Sequence, residues 1–113
     1  MAAAYLERQG YRIQQKNYRC RQGEIDLVAW DGATLVFVEV KTKGQTSFGS
    51  GLAMVDRPKQ KKLVHVAMLY IQQYRLQHVD VRFDVVAITL LAGAPAEVMH
   101  VPAAFSPPAY FLY

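Results

Sequence analysis

The sequence is poor in cysteine and has no long apolar run, and both absences narrow the class of protein. Cys20 is the one cysteine among 113 residues, so no internal disulfide can form and a reducing compartment is favoured. The most apolar stretch, residues 85–92, is interrupted by Thr89 and is too short to span a bilayer. The N-terminus lacks the basic and then apolar segments of a signal peptide. We therefore expect a cytoplasmic protein without membrane association.

Several common catalytic patterns are also missing. The three histidines and the cysteine do not have the spacing of metal ligands. Ser47 and Ser50 lie in a glycine-rich segment that has no nucleophile-elbow pattern. No Gly-Lys-Ser/Thr follows these glycines, as a P-loop requires. A zinc site, a serine hydrolase and a P-loop NTPase are therefore disfavoured.

What the chain does contain fits one compact domain over residues 1–113. Apolar residues make up 52% of the sequence, enough for a single core. The net charge is +4, which suits a polyanionic partner but does not require one. The densest basic segment, "RPKQKK", is either a solvated helix start or a phosphate-facing surface. The candidate nucleic-acid-binding residues are Arg19, Arg21, Lys43, Arg57, Lys59, Lys61 and Lys62.

The local patterns predict the order helix, strand, hairpin, helix, strand. A helix is expected over residues 2–9, and Asp56 and Pro58 announce a second helix with a capping side chain and a proline in its first turn. The strands are predicted at residues 11–20, 25–30, 35–40, 81–91 and 97–101. Because the central strands are almost continuously apolar, both faces of the sheet should be covered. The fold class is α/β, a sandwich with a mixed central sheet flanked by helices.

Two segments have no predicted helix or strand. Residues 44–55 carry three glycines and little periodicity, which is typical of a loop. Residues 102–113 form a tail rich in proline and aromatic residues. This tail should pack on its own domain or on a neighbouring chain, so it is a candidate homo-oligomer contact.

Four charged residues interrupt the apolar hairpin "GEIDLVAWDGATLVFVEVKTK". A two-residue turn at Asp31-Gly32 predicts a register in which Glu24 faces Glu39. Side chains alternate between faces, so Glu24, Asp26, Glu39 and Lys41 should project from one face of the sheet. The carboxylates could hold one divalent cation such as Mg²⁺. Salt bridges to Lys41 and Arg21 are the alternative explanation.

The sequence resembles the YraN family of largely uncharacterised bacterial proteins. The resemblance rests on the hairpin above, on "GYRIQQKNYRC" before it, and on "FG", "KQKK" and "RFDVVAI" after it. The pattern Gly-Glu-Ile-Asp followed by Val-Glu-Val-Lys is also similar to the PD-(D/E)xK nucleases and to archaeal Holliday junction resolvases. The resemblance implies a restriction-endonuclease-like sandwich.

The same resemblance implies roles for individual residues. Asp26 matches the metal-binding aspartate, Glu39 the acidic residue of the "E-x-K" half, and Lys41 its lysine. The main-chain carbonyl of Val40 would be a further metal ligand. Glu24, in the first half of the pattern, belongs to the predicted catalytic set without an assigned chemical role.

Two further positions bear on the comparison with the family. Asp84 in "RFDVV" also matches the family pattern, either as a structural partner for a nearby cation or as a catalytic residue. The family usually has a glutamate on its first helix before "AA-x-YL", whereas Met1 already lies inside that helix. Either the start is truncated or the site lacks that carboxylate.

We therefore expect an endonuclease that uses Mg²⁺ or Mn²⁺ to hydrolyse phosphodiesters of DNA, with branched or structured DNA implied by the resemblance to resolvases. In this mechanism Lys41 orients the attacking water or stabilises charge developing on phosphorus. The basic residues neutralise backbone phosphates without reading the base sequence. The alternative is a non-catalytic nucleic-acid-binding or assembly protein on the same scaffold.

Overall fold

A computed structural model of the chain describes residues 1–44, 55–92 and 94–108. Its elements are α1 (Ala2–Arg8), β1 (Arg12–Cys20), β2 (Gly23–Asp31), β3 (Thr34–Gly44), α2 (Arg57–Gln73), β4 (Asp80–Leu91) and β5 (Ala94–Phe105). The strands form one sheet in the order β1-β2-β3-β4-β5, in which β3 and β4 are parallel and the other neighbours antiparallel. The predicted α/β architecture with a mixed sheet is confirmed, and it is compatible with a restriction-endonuclease-like fold.

Both faces of the sheet are covered, as the continuous apolar strands predict. On one face α2 packs on side chains that include Phe37, whose ring lies 5.7 Å from that of Tyr70. On the other face Leu6 of α1 packs on a second cluster that includes Val36 and Val38. Alternate residues of β3 thus serve opposite cores. Neither helix in the described residues is long and apolar enough to cross a membrane.

The start of α2 has the predicted cap. The Asp56 side chain accepts a hydrogen bond of 2.9 Å from the Lys59 amide, and Pro58 lies in the first turn. The first turn carries no acidic residue. Arg57 and Lys59 thus lie at the positive end of the helix dipole, where the Asp56 carboxylate is the stabilising anion.

The C-terminal strand is longer than predicted, which corrects the boundary of the tail. β5 includes residues 102–105 of the predicted tail, and the ring of Phe105 stacks on Phe83 with centroids 4.9 Å apart. A positive φ of 51° at Ala103 accompanies an irregularity of the β4–β5 register. Residues 109–113 and most of the predicted loop at 44–55 lie outside the described residues, so an oligomer contact through the tail stays a prediction.

Candidate active site

The turn of the β2–β3 hairpin lies one residue later than predicted. Asp31 pairs with Thr34, which leaves Gly32 and Ala33 as the two-residue loop. Gly32 has a φ of +60°, as the first central position of a type II′ turn requires. Asp31 stays in the strand, where its carboxylate accepts a hydrogen bond of 2.9 Å from Arg82 of β4. The predicted Asp31-Gly32 turn is therefore wrong.

This turn shifts the hairpin register by two residues. The last pair of the β2–β3 ladder before the site is Leu27 with Val38. The next residues in this register are Asp26 and Glu39, so Asp26 takes the position opposite Glu39 that was predicted for Glu24. The two predicted metal ligands thus lie closer together than expected.

The strands separate where these two carboxylates lie. The ladder ends before Asp26 on β2, whereas β3 continues to Gly44 alongside β4. One oxygen of the Asp26 carboxylate accepts a hydrogen bond of 2.8 Å from the Val40 amide. This side chain replaces the main-chain acceptor that a continued ladder would supply. The predicted ligand Val40 is thereby fixed beside Asp26 through its amide.

The Glu39 carboxyl group lies in a setting that disfavours its charged form. Only 13% of the side chain is exposed, and Lys59 of α2 lies 3.5 Å away. Burial raises the pKa of Glu39 to about 7, with further contributions from a hydrogen bond to Asp26 and from the negative charge of Asp26. Lys59 acts in the opposite direction. The carboxylate pair therefore shares a site that gains from additional positive charge.

Glu24 does not join this pair, so the prediction of four charged residues on one face is wrong. Gly23 and Ile25 face α2: a Cβ on Gly23 would lie 3.3 Å from Val66, and Ile25 belongs to the core under α2. Glu24 alternates with them and projects from the other face, where it forms an exposed ion pair of 3.1 Å with Arg19.

The physical reason is an interruption of the alternation at Asp26. Ile25 packs in the core under α2, while Leu27, two residues later, packs in the core under α1. In a regular strand both would lie on the same face. On the neighbouring strand Asn17 has a φ of 54°, a conformation uncommon outside glycine. Both β1 and β2 therefore depart from regular strand geometry beside the carboxylate pair.

The predicted cations occupy different positions. Lys41 follows Glu39 by two residues on β3 and shares its face, and it is half-buried. Lys59 contacts Glu39 of the carboxylate pair. Its neighbours on the first turns of α2, Arg57, Lys61 and Lys62, are exposed, as are Lys43 on β3 and Arg21 at the β1–β2 turn. The sequence did not separate Lys59 from the basic cluster, although a capped helix start at Asp56 fixes its direction.

Asp84 lies in a separate buried network on the α1 side of the sheet. It accepts hydrogen bonds from Arg82 at 2.9 and 3.1 Å and from the Ala103 amide at 3.0 Å, and it lies 2.8 Å from His100. Burial opposes its ionisation, but these hydrogen bonds lower the pKa of Asp84 overall. Of the two roles predicted for Asp84, these contacts fit that of a structural partner of a cation, which here is Arg82. Tyr11 also donates a hydrogen bond to Asp84, and no sequence pattern marked it as a member of this network.

An open cavity of about 370 Å³ adjoins Asp26, whereas Glu39 does not line it. Asp26 and Val40 form one wall, and the first residues of α1 form another. Within the described ranges no group of three or more His, Cys, Asp or Glu side chains gathers. The site therefore offers a pair of carboxylates, one of which borders an accessible space.

The five-stranded mixed sheet and its two helices make this an α/β protein whose fold is compatible with a restriction-endonuclease-like architecture. The model of the uncharacterised protein family UPF0102, the YraN family, matches residues 1–88. A UPF0102 protein of Syntrophus aciditrophicus is 50% identical over 90 residues, covering 80% of this chain and 71% of that protein. One from Geobacter sulfurreducens is 45% identical over 105 residues, covering 93% and 82%. The chain belongs to this family, as the resemblance predicted.

Proposed function

We propose that this chain is a metal-dependent endonuclease that hydrolyses phosphodiesters of DNA in the cytoplasm. The observation that carries the proposal is the carboxylate pair. Asp26 and Glu39 meet where β2 and β3 separate. Lys41 lies on β3, the strand of Glu39, and Lys59 lies on α2. The single cysteine and the absence of a membrane-spanning helix among the described residues are compatible with this location.

The donor atoms suit a hard divalent cation such as Mg²⁺ or Mn²⁺. Mg²⁺ is commonly held by one or two carboxylates, with waters and substrate phosphates as the other ligands. Asp26 and Glu39 are oxygen donors whose mutual repulsion a cation would relieve, and the Val40 carbonyl is the third predicted ligand. Such an ion supplies Lewis-acid polarisation of a phosphodiester and activation of a water.

The lysines supply positive charge around the reacting phosphate. Lys41 lies two residues from Glu39, where its ammonium group can orient a water or stabilise charge in the transition state. Lys59 forms an ion pair with Glu39. Once a metal cation neutralises the charge of that carboxylate, the Lys59 ammonium group can bind a phosphate instead. The exposed cations of α2 would bind the rest of the backbone.

The test is cleavage of branched, single-stranded and linear DNA with Mg²⁺ or Mn²⁺. Asp26→Asn and Glu39→Gln should each reduce cleavage by at least about a hundredfold, because each removes an anionic ligand. DNA binding should be retained or strengthened, since repulsion of the phosphates also falls. Glu7→Gln, an exposed change on α1, should leave both unchanged. Equal cleavage by all four chains would contradict the proposal.

One observation favours the second candidate, a non-catalytic nucleic-acid-binding or assembly protein. The described residues bring together two carboxylates and no third His, Cys, Asp or Glu side chain. A chain that binds DNA but neither binds a divalent ion nor cuts any DNA of the panel would establish this alternative. Divalent-ion binding lost in Asp26→Asn would instead support the nuclease.

A further inference from the structure

A second cavity, of about 250 Å³, lies between the start of α2 and the end of β5. Here it is called the α2–β5 groove, and it is lined by Arg57, Gln60, Lys61, Val64, Phe105, Ser106 and Pro108. Its volume lies just below the range of about 300–1,000 Å³ typical of pockets for whole small molecules. The groove therefore suits one planar group better than a complete cofactor.

The charge of the groove is positive on one wall and absent on the other. Arg57 and Lys61 are exposed, and within the described part of the chain neither forms an ion pair. No acidic residue lines the groove or lies in the first turn of α2. The Asp56 carboxylate caps the helix amides, and the side chains of Arg57 and Lys61 supply the positive charge at the groove, which attracts an anionic ligand such as a phosphate.

The opposite wall is aromatic and apolar. Phe105 is half-buried and stacks on Phe83, with an interplanar angle of 21° and centroids 4.9 Å apart. That contact holds the ring in place while the ring still lines the groove. A fixed aromatic ring beside cations is the combination with which proteins bind a nucleotide, by stacking on the base and neutralising its phosphates.

The groove and the carboxylate pair lie on opposite flanks of the same helix start. Successive helix residues are turned by about 100°, so Lys59 projects about 200° from Arg57. Lys59 accordingly reaches Glu39, whereas Arg57 and Lys61 line the groove. A helix with its side chains is about 10–12 Å across. A stacked DNA strand rises about 3.4 Å per nucleotide, so about three nucleotides span this distance.

We propose that the α2–β5 groove binds an unpaired nucleotide of the DNA strand that is cut at the carboxylate pair. The proposal rests on the proposed function and adds a substrate class, DNA with an unpaired segment about three nucleotides from the cleaved phosphodiester. The strand crosses the start of α2 with its phosphates on the exposed cations. A base enters the groove and stacks on Phe105, which a base held in a duplex cannot do.

The test measures binding of the full chain to two fluorescent oligonucleotides in EDTA, so that no cleavage occurs. One is a short thymidine oligonucleotide, and the other has the same length and charge but abasic sugars. The wild type should bind the thymidine oligonucleotide about fivefold or more tightly than the abasic one. In Phe105→Leu this ratio should fall to about one. Tyr74→Leu, which changes an exposed aromatic residue at the other end of α2, should keep the ratio.

The proposal would be overturned if the wild type bound the two oligonucleotides equally tightly. It would also be overturned if a folded Phe105→Leu kept the preference for the thymidine oligonucleotide. A second measurement does not depend on a variant that folds. Photo-crosslinking of the wild type to a 4-thiothymidine oligonucleotide should label residues 105–108, and labelling confined to other segments would contradict the groove. Because EDTA is present, a failure of nuclease activity leaves these results intact. Conversely, a chain that cuts DNA but binds both oligonucleotides equally tightly would contradict the groove proposal and leave the proposed nuclease function intact.

Discussion

Asp26 and Glu39 are both carboxylates, yet the fold gives them different partners. Asp26 accepts a main-chain hydrogen bond from Val40. Glu39 is largely buried and faces the charge of Asp26, with Lys59 as the opposing cation. The electrostatic cost of pairing the two carboxyl groups therefore falls on Glu39.

The raised pKa of Glu39 predicts a pH dependence of stability. A pKa of about 7 in the folded protein, against an ordinary 4.5, stabilises the fold below pH 4.5. That contribution is lost as the pH rises towards 7. In EDTA, the wild type should therefore lose about 1–3 kcal/mol relative to Glu39→Gln across this window. Urea unfolding of both chains at several pH values is the measurement, and parallel curves would contradict it.

Lys59 should control the same ionisation. Because it lowers the pKa of Glu39, Lys59→Gln should move that pKa upwards. Lys62→Gln removes the same charge from the same helix, but Lys62 forms no ion pair with Glu39, so it should have little effect. The Glu39 carboxyl resonance followed by NMR against pH reports both variants. Equal shifts in the two would mean that the basic helix start acts only through its total charge.

At the scale of elements, the Asp84 network joins β5 to the rest of the sheet. Asp84 is on β4, and its contacts Ala103 and His100 are both on β5. Arg82 extends the network to Asp31 on β2. This buried charge cluster thus anchors the edge strand β5. Because Phe105 lies on β5, the cluster also holds Phe105 at the groove.

Asp84→Asn should destabilise the protein by about 2–4 kcal/mol, because His100 and the half-buried Arg82 lose a buried anionic partner, although Arg82 keeps its ion pair with Asp31. Since the pKa of Asp84 is lowered in the fold, its contribution is present at neutral pH and lost as the pH falls. Wild type and variant should therefore converge in urea unfolding at acid pH. Asp80→Asn, at the exposed start of β4, should change stability by less than about 0.5 kcal/mol.

The elements themselves could be predicted from sequence, since apolar runs and the Asp56 cap are local signals. The register could not, because the Asp31-Gly32 dipeptide suits one turn while the ion pair of Asp31 with Arg82, 51 residues away, favours another. A shift of two residues preserves the faces of β3, so Glu39 was placed correctly. Glu24 was misplaced because the interruption at Asp26 involves Asn17 on another strand, which the hairpin sequence does not report.

At the scale of the whole molecule, the net charge of +4 has an uneven distribution. Arg57, Lys61 and Lys62 cluster at the start of α2, while Arg75 stands beyond its end. A polyanion approaching the chain would meet the densest positive charge near the carboxylate pair and the groove. The overall charge alone would not give this orientation.

The triple change of Arg57, Lys61 and Lys62 to alanine should weaken binding to DNA of every sequence. Each lost phosphate contact should reduce the slope of log affinity against log salt concentration by about one. Arg75→Asn is the matched control: it removes a cation from the far end of α2 and tolerates the φ of 55° found there. Unchanged slopes in the triple variant would show that the cluster is only a solvated helix start.

The parallel pairing of β3 and β4 bears on how the molecule acquires its site. Every pair in that ladder joins residues 46 positions apart, as from Thr34 to Asp80. Such non-local contacts form slowly, whereas a hairpin such as β2–β3 closes in about 1–10 μs. The carboxylate pair lies on this hairpin, but Arg82, which holds Asp31 in the observed register, comes from β4, and Lys59 comes from α2. The paired site would thus be complete only after the slow pairing of β3 with β4 and the docking of α2.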